Sequence, residues 1–228
     1  MADKRLIAAL DFPDFESARA CVEEIGDAVD FYKVGMELYY ACGSRVIDYL
    51  KNQGKSVFLD LKLHDIPNTV ASALAVLTRQ GGDILNVHAT GGFKMMQAAS
   101  LSVKDAAQKA GIPCPKLIAV TVLTSMDEEE LTRIGINATA KDAVIKLARL
   151  AKEAGMDGVV ASAQEASMIA NACGKDFLIV TPGIRPAGSA AGDQSRITTP
   201  ARAFTNGATH IVVGRPITRA QDKREAAR

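Results

Sequence analysis

No stretch of this 228-residue chain is long and apolar enough to cross a bilayer, since no uninterrupted run approaches the roughly 20 residues that a spanning helix needs. The apolar run Leu6–Leu10 is also too short for the core of a secretory signal, and Asp11 ends it. Neither sign of charge is in excess. With 27 Lys and Arg against 26 Asp and Glu the formal net charge is +1, which gives no electrostatic reason to expect nucleic acid or an anionic membrane surface as partner. Cys21, Cys42, Cys114 and Cys173 stand too far apart for a metal or redox motif, and they are expected to be buried thiols of a cytoplasmic protein. His64, His88 and His210 show no metal-ligand spacing, and no pyridoxal, thiamine or flavin motif is evident, so no cofactor is expected. A glycine-rich turn, the usual sequel to the first strand of a dinucleotide-binding sheet, is missing too. Asp11-Phe12-Pro13-Asp14 stands there instead.

What the chain does have is a large apolar share, 48%, arranged in alternation. Short β-rich runs occur at Leu6–Leu10, Phe31–Val34, Val57–Leu61, Ile84–Val87, Leu117–Val122, Val159–Ala161, Leu178–Val180 and Ile211–Val213. Several are apolar without interruption, as strands covered on both faces are in parallel sheets. Between them lie helical stripes: Phe15, Ala18, Val22 and Ile25; Val70, Ala73, Leu74 and Leu77; and Val144, Leu147, Ala148 and Ala151. A weak repeat, Gly82-Asp83-Ile84, Gly155-Met156-Asp157-Gly158-Val159 and Gly207-Ala208-Thr209-His210-Ile211, puts glycine between a helix and a strand, where a left-handed conformation ends the helix. Eight such units predict a single α/β domain over residues 1–228, an eight-stranded parallel (βα)8 TIM-type barrel, with an open doubly wound sheet as the alternative.

In such a barrel the chemistry gathers where strands end, which singles out Asp11, Lys33, Asp60, Lys62, His88, Thr124, Arg185 and Arg215. The densest cluster is Asp60-Leu61-Lys62-Leu63-His64-Asp65-Ile66-Pro67-Asn68-Thr69. On an extended chain Asp60 and Lys62 point the same way, into the barrel mouth. Charges there are costly unless paired or functional, and a structural ion pair is the simpler account. Asp65 comes just before a helix that Pro67 helps to start. His88 reads as a packed supporting histidine, and Met36, Met95 and Met96 as fillers of core or interface gaps. Arg215 after Gly214 suits an anion, through a guanidinium fork, close backbone approach and the free amides of a following helix. Ala187–Gly192 has the composition of a mobile lid.

The cluster Asp60, Lys62, Asp65, Ile66, Pro67 and Thr69 closely resembles the signature of the orotidine monophosphate decarboxylases, especially the bacterial type. The resemblance runs through Ala9-Leu10-Asp11, Lys33-Val34-Gly35-Met36-Glu37, Asn86-Val87-His88-Ala89, Leu123-Thr124-Ser125, Thr181-Pro182-Gly183-Ile184-Arg185, Asp193-Gln194 and Val213-Gly214-Arg215, and so spans nearly the whole chain in family order. It implies a βα barrel and a homodimer with shared active sites. It implies decarboxylation of orotidine 5'-monophosphate to uridine 5'-monophosphate, with Lys62 as proton donor among Lys33, Asp60 and Asp65. It places Asp65 and Thr69 in the partner's site, Asp11 and Lys33 on the ribose hydroxyls, and Thr124 near the pyrimidine. Arg185, Gln194, Gly214 and Arg215 would hold the phosphate. The family's final helix is usually longer than the stretch after Arg219, which implies a thin outer layer beside the last strand.

Those residue types suit a reaction that leaves a carbanion with no ring π-system to spread it. An ammonium beside the carbon can stabilise the charge and then supply the proton, with carboxylates to aim it. Asp60 could add repulsion against the substrate carboxylate, a smaller contribution than the Lys62 charge. A magnesium-dependent sugar-phosphate decarboxylase or aldolase of the same superfamily shares the Asp-x-Lys-x-x-Asp spacing. Ile66-Pro67 and the Gln194–Arg215 elements argue against it, and intact Lys62 argues against a non-catalytic nucleotide binder.

Overall fold

The computed structural model describes residues 2–185 and 198–228. Each apolar run becomes a strand: β1 (Leu6–Leu10), β2 (Phe31–Gly35), β3 (Ser56–Leu63), β4 (Ile84–His88), β5 (Lys116–Val120), β6 (Gly158–Val160), β7 (Leu178–Thr181) and β8 (His210–Val213). All pair in parallel in chain order, and β1 returns to β8, with Leu6 beside Ile211 and Ala8 beside Val213, to close the barrel. The open-sheet alternative is thereby excluded. The helices are α1 (Phe15–Ile25), α2 (Met36–Cys42), α3 (Arg45–Asn52), α4 (Pro67–Arg79), α5 (Gly92–Ala110), α6 (Glu128–Arg133), α7 (Ala140–Glu153), α8 (Ala166–Cys173), α9 (Pro200–Thr205), α10 (Arg215–Thr218) and α11 (Lys223–Ala226). Among the described residues no helix is long and apolar enough to cross a membrane.

Alternation along each strand explains both the apolar runs and the site. Ile7, Ala9, Phe31, Phe58, Ile84, Ile118, Val180 and Val212 face inward and fill the barrel. Ala8, Leu10, Tyr32, Val34, Val57, Leu59, Leu85 and Val87 face outward under the helices. Each fully buried large side chain contributes about 1.5–3 kcal/mol of transfer free energy, so neither face can be polar along its length. The expected stripe on α1 is wholly buried, and on α4 Val70, Leu74 and Leu77 are. Asp14 caps α1 by accepting the Ser17 N–H at 2.8 Å, and Pro67 opens α4 where no intrahelical N–H is needed.

The internal repeat has a structural counterpart at the end of the barrel remote from the mouth. Asp83, just before β4, accepts the Val57 N–H of β3 at 2.7 Å. Asp157, before β6, accepts the Leu117 N–H of β5 at 2.9 Å, and Thr209, before β8, accepts the Ile179 N–H of β7 at 2.9 Å. Each brace ties the start of a strand to the strand before it. One glycine assignment needs correcting. Gly155 and Gly207 do have positive φ, 85° and 101°, but in the first repeat Gly81 does (90°) rather than Gly82. Gly82 is small for another reason, since a methyl there would lie 2.8 Å from Leu85 and 2.9 Å from Leu59.

One further expectation is corrected. Cys21 and Cys173 are buried free thiols, but Cys42 is only half-buried, and Cys114 is exposed in the loop where Pro113 and Pro115 keep the chain out of the ladder. Met95 and Met96 are buried in the core, and Met36 is 44% exposed on the chain's surface. Beyond β8, α11 is pinned to α1 by Lys223 Nζ on Glu24 at 2.7 Å and to the turn after α1 by an Arg224–Asp27 ion pair, while Ile217 and Ala227 are buried.

Candidate active site

The inward register that fills the barrel with apolar side chains places polar ones at its mouth. Ala9 lies beside Lys33, Lys33 beside Phe58, and Gly35 beside Asp60, so the next inward positions along β1, β2 and β3 converge. Lys33 Nζ stands 2.9 Å from Asp11 Oδ1 and 3.4 Å from Asp60 Oδ2, and Lys62 Nζ stands 2.7 Å from Asp60 Oδ1. Negative and positive groups therefore alternate as Asp11, Lys33, Asp60 and Lys62. Gly35 makes this possible, because a methyl there would come within 2.9 Å of Lys33 Nζ. Burial alone raises the Asp60 carboxyl, but the charges of Lys33 and Lys62 and hydrogen bonds from Lys62 and Asn86 outweigh it and hold the group below its usual 3.8. Burial likewise lowers the Lys33 ammonium, and Asp60 and Asp11 more than offset this. At His88, burial, helped by His64 and Lys62 nearby, depresses the pKa. Its ring packs 5.6 Å from that of His64, as a supporting histidine would.

Asp60 and Lys62 do point together, but not for the reason that the spacing suggests. Lys62 has φ of 52°, and among the described residues it is the one non-glycine with positive φ. Between Leu59 and Leu63 the β3 register slips against β4, where Leu59 faces Leu85 and Leu63 faces Val87. Four steps of one strand thus span two of the other, and the bulge re-aims the lysine. A left-handed conformation costs an L-residue roughly 1–2 kcal/mol, and glycine avoids that cost. Lys62→Gly is therefore expected to be more stable than Lys62→Ala by about 1 kcal/mol in urea unfolding. Equal stabilities would mean that the backbone strain is absent.

Two cavities meet over this array, sharing Lys33, Pro182 and Val212. The smaller, about 280 Å³, has Asp60 and Lys62 at one end and Phe58, Val120, Val122, Leu123 and Val160 as apolar walls, with Thr124 on its lining. The larger, about 510 Å³, is lined by Asp11, Lys33, Arg185, Gly214, Arg215 and Arg219 among others. Burial and the neighbouring Arg215 charge push the Arg185 guanidinium below its usual value, and both guanidiniums line this cavity. A methyl at Gly214 would meet Ala9 and Asp11 at 3.6 and 3.7 Å, which is ordinary contact, so this glycine serves the cavity rather than the packing. The amides after it offer less than expected. Pro216 has none, and those of Ile217 and Thr218 turn back to the Gly214 carbonyl at 2.9 and 3.0 Å.

Asp65 and Thr69 are exposed and line neither cavity of their own chain. Gln194 and the Ala187–Gly192 stretch lie outside the described residues. Asn86 had no role in the sequence reading, yet it is buried in the array and bonds to both Asp60 and Lys62. The available signal was a lone amide at an inward position of the otherwise apolar run of β4. Among the described residues no cluster of three or more His, Cys, Asp and Glu side chains could hold a metal ion.

A closed parallel barrel with charges converging at the C-terminal ends of its strands, beside a cavity edged by paired guanidiniums, defines a βα-barrel enzyme for a small anionic substrate. The chain belongs to the orotidine 5'-phosphate decarboxylase / HUMPS family, whose sequence profile matches residues 4–228. It is 53% identical over 224 residues to the orotidine 5'-phosphate decarboxylase of Carboxydothermus hydrogenoformans, covering 98% of this chain and 93% of that one. It is 49% identical over 228 residues to the enzyme of the same name from Moorella thermoacetica, covering 100% and 90%. The crystal structure of orotidine 5'-phosphate decarboxylase from Lactobacillus acidophilus superposes with a TM-score of 0.87 at 42% identity, covering 99% of this chain and 96% of that one.

Proposed function

We propose that this chain removes carbon dioxide from orotidine 5'-monophosphate to give uridine 5'-monophosphate in the cytoplasm, without a cofactor, with Lys62 as the proton donor. The observation that carries this reading is the Lys62 ammonium, 2.7 Å from a buried Asp60 carboxylate and facing an apolar cavity that opens into one edged by Arg185 and Arg215. The bond between the ring carbon and the carboxylate breaks, and its electron pair stays on carbon. A proton moves from Lys62 Nζ to that carbon, carbon dioxide departs, and solvent reprotonates the amine. The fixed charges of Lys33, Asp60 and Lys62 need no reorganisation as the carbanion forms, which is where an enzyme gains most over water. In this reading Asp11 and Lys33 bind the ribose hydroxyls and Thr124 the pyrimidine. Arg185, Gln194, Gly214 and Arg215 hold the phosphate.

The test is loss of orotidine monophosphate by purified protein, with and without exhaustive chelation. Turnover is expected in both. No turnover, or turnover restored only by magnesium, would overturn this reading in favour of the sugar-phosphate chemistry.

The active form in this proposal is a homodimer in which the partner's Asp65 and the partner's Thr69 complete each site. Their exposure, a few residues from Lys62 but off both cavities, supports this. Two inactive variants, Lys62→Ala and Asp65→Ala, are then expected to complement. In a two-fold heterodimer one site carries both defects and the other neither, so random exchange should restore about a quarter of all sites. Heterodimers isolated by a tag and found inactive would put both residues in one site.

A further inference from the structure

We propose that Asn86 is a positioning residue of this active site: one buried amide that sets the Asp60 carboxylate and the left-handed Lys62 backbone against each other. The proposal rests on the decarboxylase reading above. Asn86 sits at an inward position of β4, where Ile84 below it fills the barrel and Ile118 of β5 lies alongside. Its side chain is 1% exposed. Nδ2 donates to Asp60 Oδ1 at 2.7 Å, and Oδ1 accepts the Lys62 backbone N–H at 2.8 Å.

Both contacts depend on an amide. The Lys62 N–H lies in the β-bulge, where the slipped ladder gives it no carbonyl on β4, and an acceptor side chain replaces one. Asp60 Oδ1 receives the Lys62 ammonium and the Asn86 amide together, while Oδ2 faces Lys33. Apart from Asn86, the charged and titratable groups around Asp60 are Lys33 from β2, Lys62 from its own strand and His88 from β4, with Asp11 beyond Lys33. Among the described residues Asn86 is the amide that hydrogen-bonds to Asp60, and it links the two halves of the proton-donating pair through backbone on one side and carboxylate on the other. An aspartate at 86 would keep the acceptor but oppose Asp60 with a second carboxylate. A leucine of similar size would leave a donor and a carboxylate lobe unpaired.

The experiment compares wild type with Asn86→Leu, and with Asn86→Ser as a second variant that keeps one polar group should the first not fold. With orotidine monophosphate as substrate, kcat is expected to fall roughly 100-fold, as for a reacting group displaced by about an ångström. KM and the affinity for uridine monophosphate should stay within about threefold, because neither amide contact touches the substrate. The carboxyl of Asp60, followed by carbon NMR in the unliganded protein, should titrate about one pH unit higher in the variant, because a charge-assisted donor has been lost. Asn86→Ser should recover part of both. A folded variant whose Asp60 titration and kcat match wild type overturns the proposal. So does a variant whose kcat and uridine monophosphate affinity fall together, since Asn86 would then act in binding. The titration needs no turnover, so an inactive wild type would refute the decarboxylase reading while the Asn86 contact is still tested.

Discussion

Lys62→Ala is expected to lose decarboxylation by roughly 10⁴-fold or more while keeping the barrel intact. Two contributions vanish together: proton transfer by a positioned acid, which gives typically 10²–10⁴-fold, and a fixed charge beside the developing carbanion, which gives about 10²–10³-fold. The second loss is compounded by Asp60, which keeps its charge near the reacting carbon but no longer has its 2.7 Å partner. The fold should survive because Lys62 is only partly buried and lies beyond the apolar layer formed by Phe58, Ile84 and Ile118. The measurement is single-turnover decarboxylation alongside circular dichroism and urea unfolding. Near-normal turnover in a folded variant would remove Lys62 from the chemistry.

The second large effect is expected at Arg215. The Arg215 side chain is itself exposed. Once a bound phosphate desolvates the contact, truncating the arginine costs about 2–5 kcal/mol, so Arg215→Ala should reduce kcat/KM for orotidine monophosphate by roughly 30- to 4000-fold. Orotidine without its phosphate should lose little. The loss should fall on kcat as well as KM, because binding energy at the remote phosphate is realised partly in the transition state. Arg185, which lines the same cavity, would retain part of the phosphate affinity. Comparing kcat/KM for the two substrates decides the matter. An equal loss for both would place Arg215 in the structure of the mouth rather than on the phosphate.

The barrel could be read from the sequence because its physics repeats. Runs such as Phe58-Leu59 and Ile84-Leu85 are apolar on both faces, and the polar residues in or after such runs, Asp11, Lys33, Asp60 and Arg215, fall at the mouth where the alternation puts them. The bulge at Lys62 could not be read, since it depends on how β3 registers against β4, a property of two strands rather than one. The importance of Asn86 stayed hidden for the same reason: its partners are 24 and 26 residues away. Gly35 looked like part of a motif, and only the placement of Lys33 Nζ reveals what its missing side chain permits. Asp65 shows the remaining limit, because it lines neither cavity of its own chain and the part proposed for it needs a second copy.

The closure of β1 against β8 also has a consequence for synthesis. The larger cavity takes part of its lining from the first strand and the residues after it, Ala9 and Asp11, and part from the neighbouring last strand and its sequel, Val212, Gly214 and Arg215. A chain emerging from the ribosome carries Lys33, Asp60 and Lys62 early, but this lining is incomplete until β8 is released and the ring shuts. Nucleotide can then stabilise only the finished molecule, and a product ending before β8 gains nothing from ligand. Metabolite binding thus discriminates complete chains from truncated ones, and the last strand to be made is the one that confers the difference.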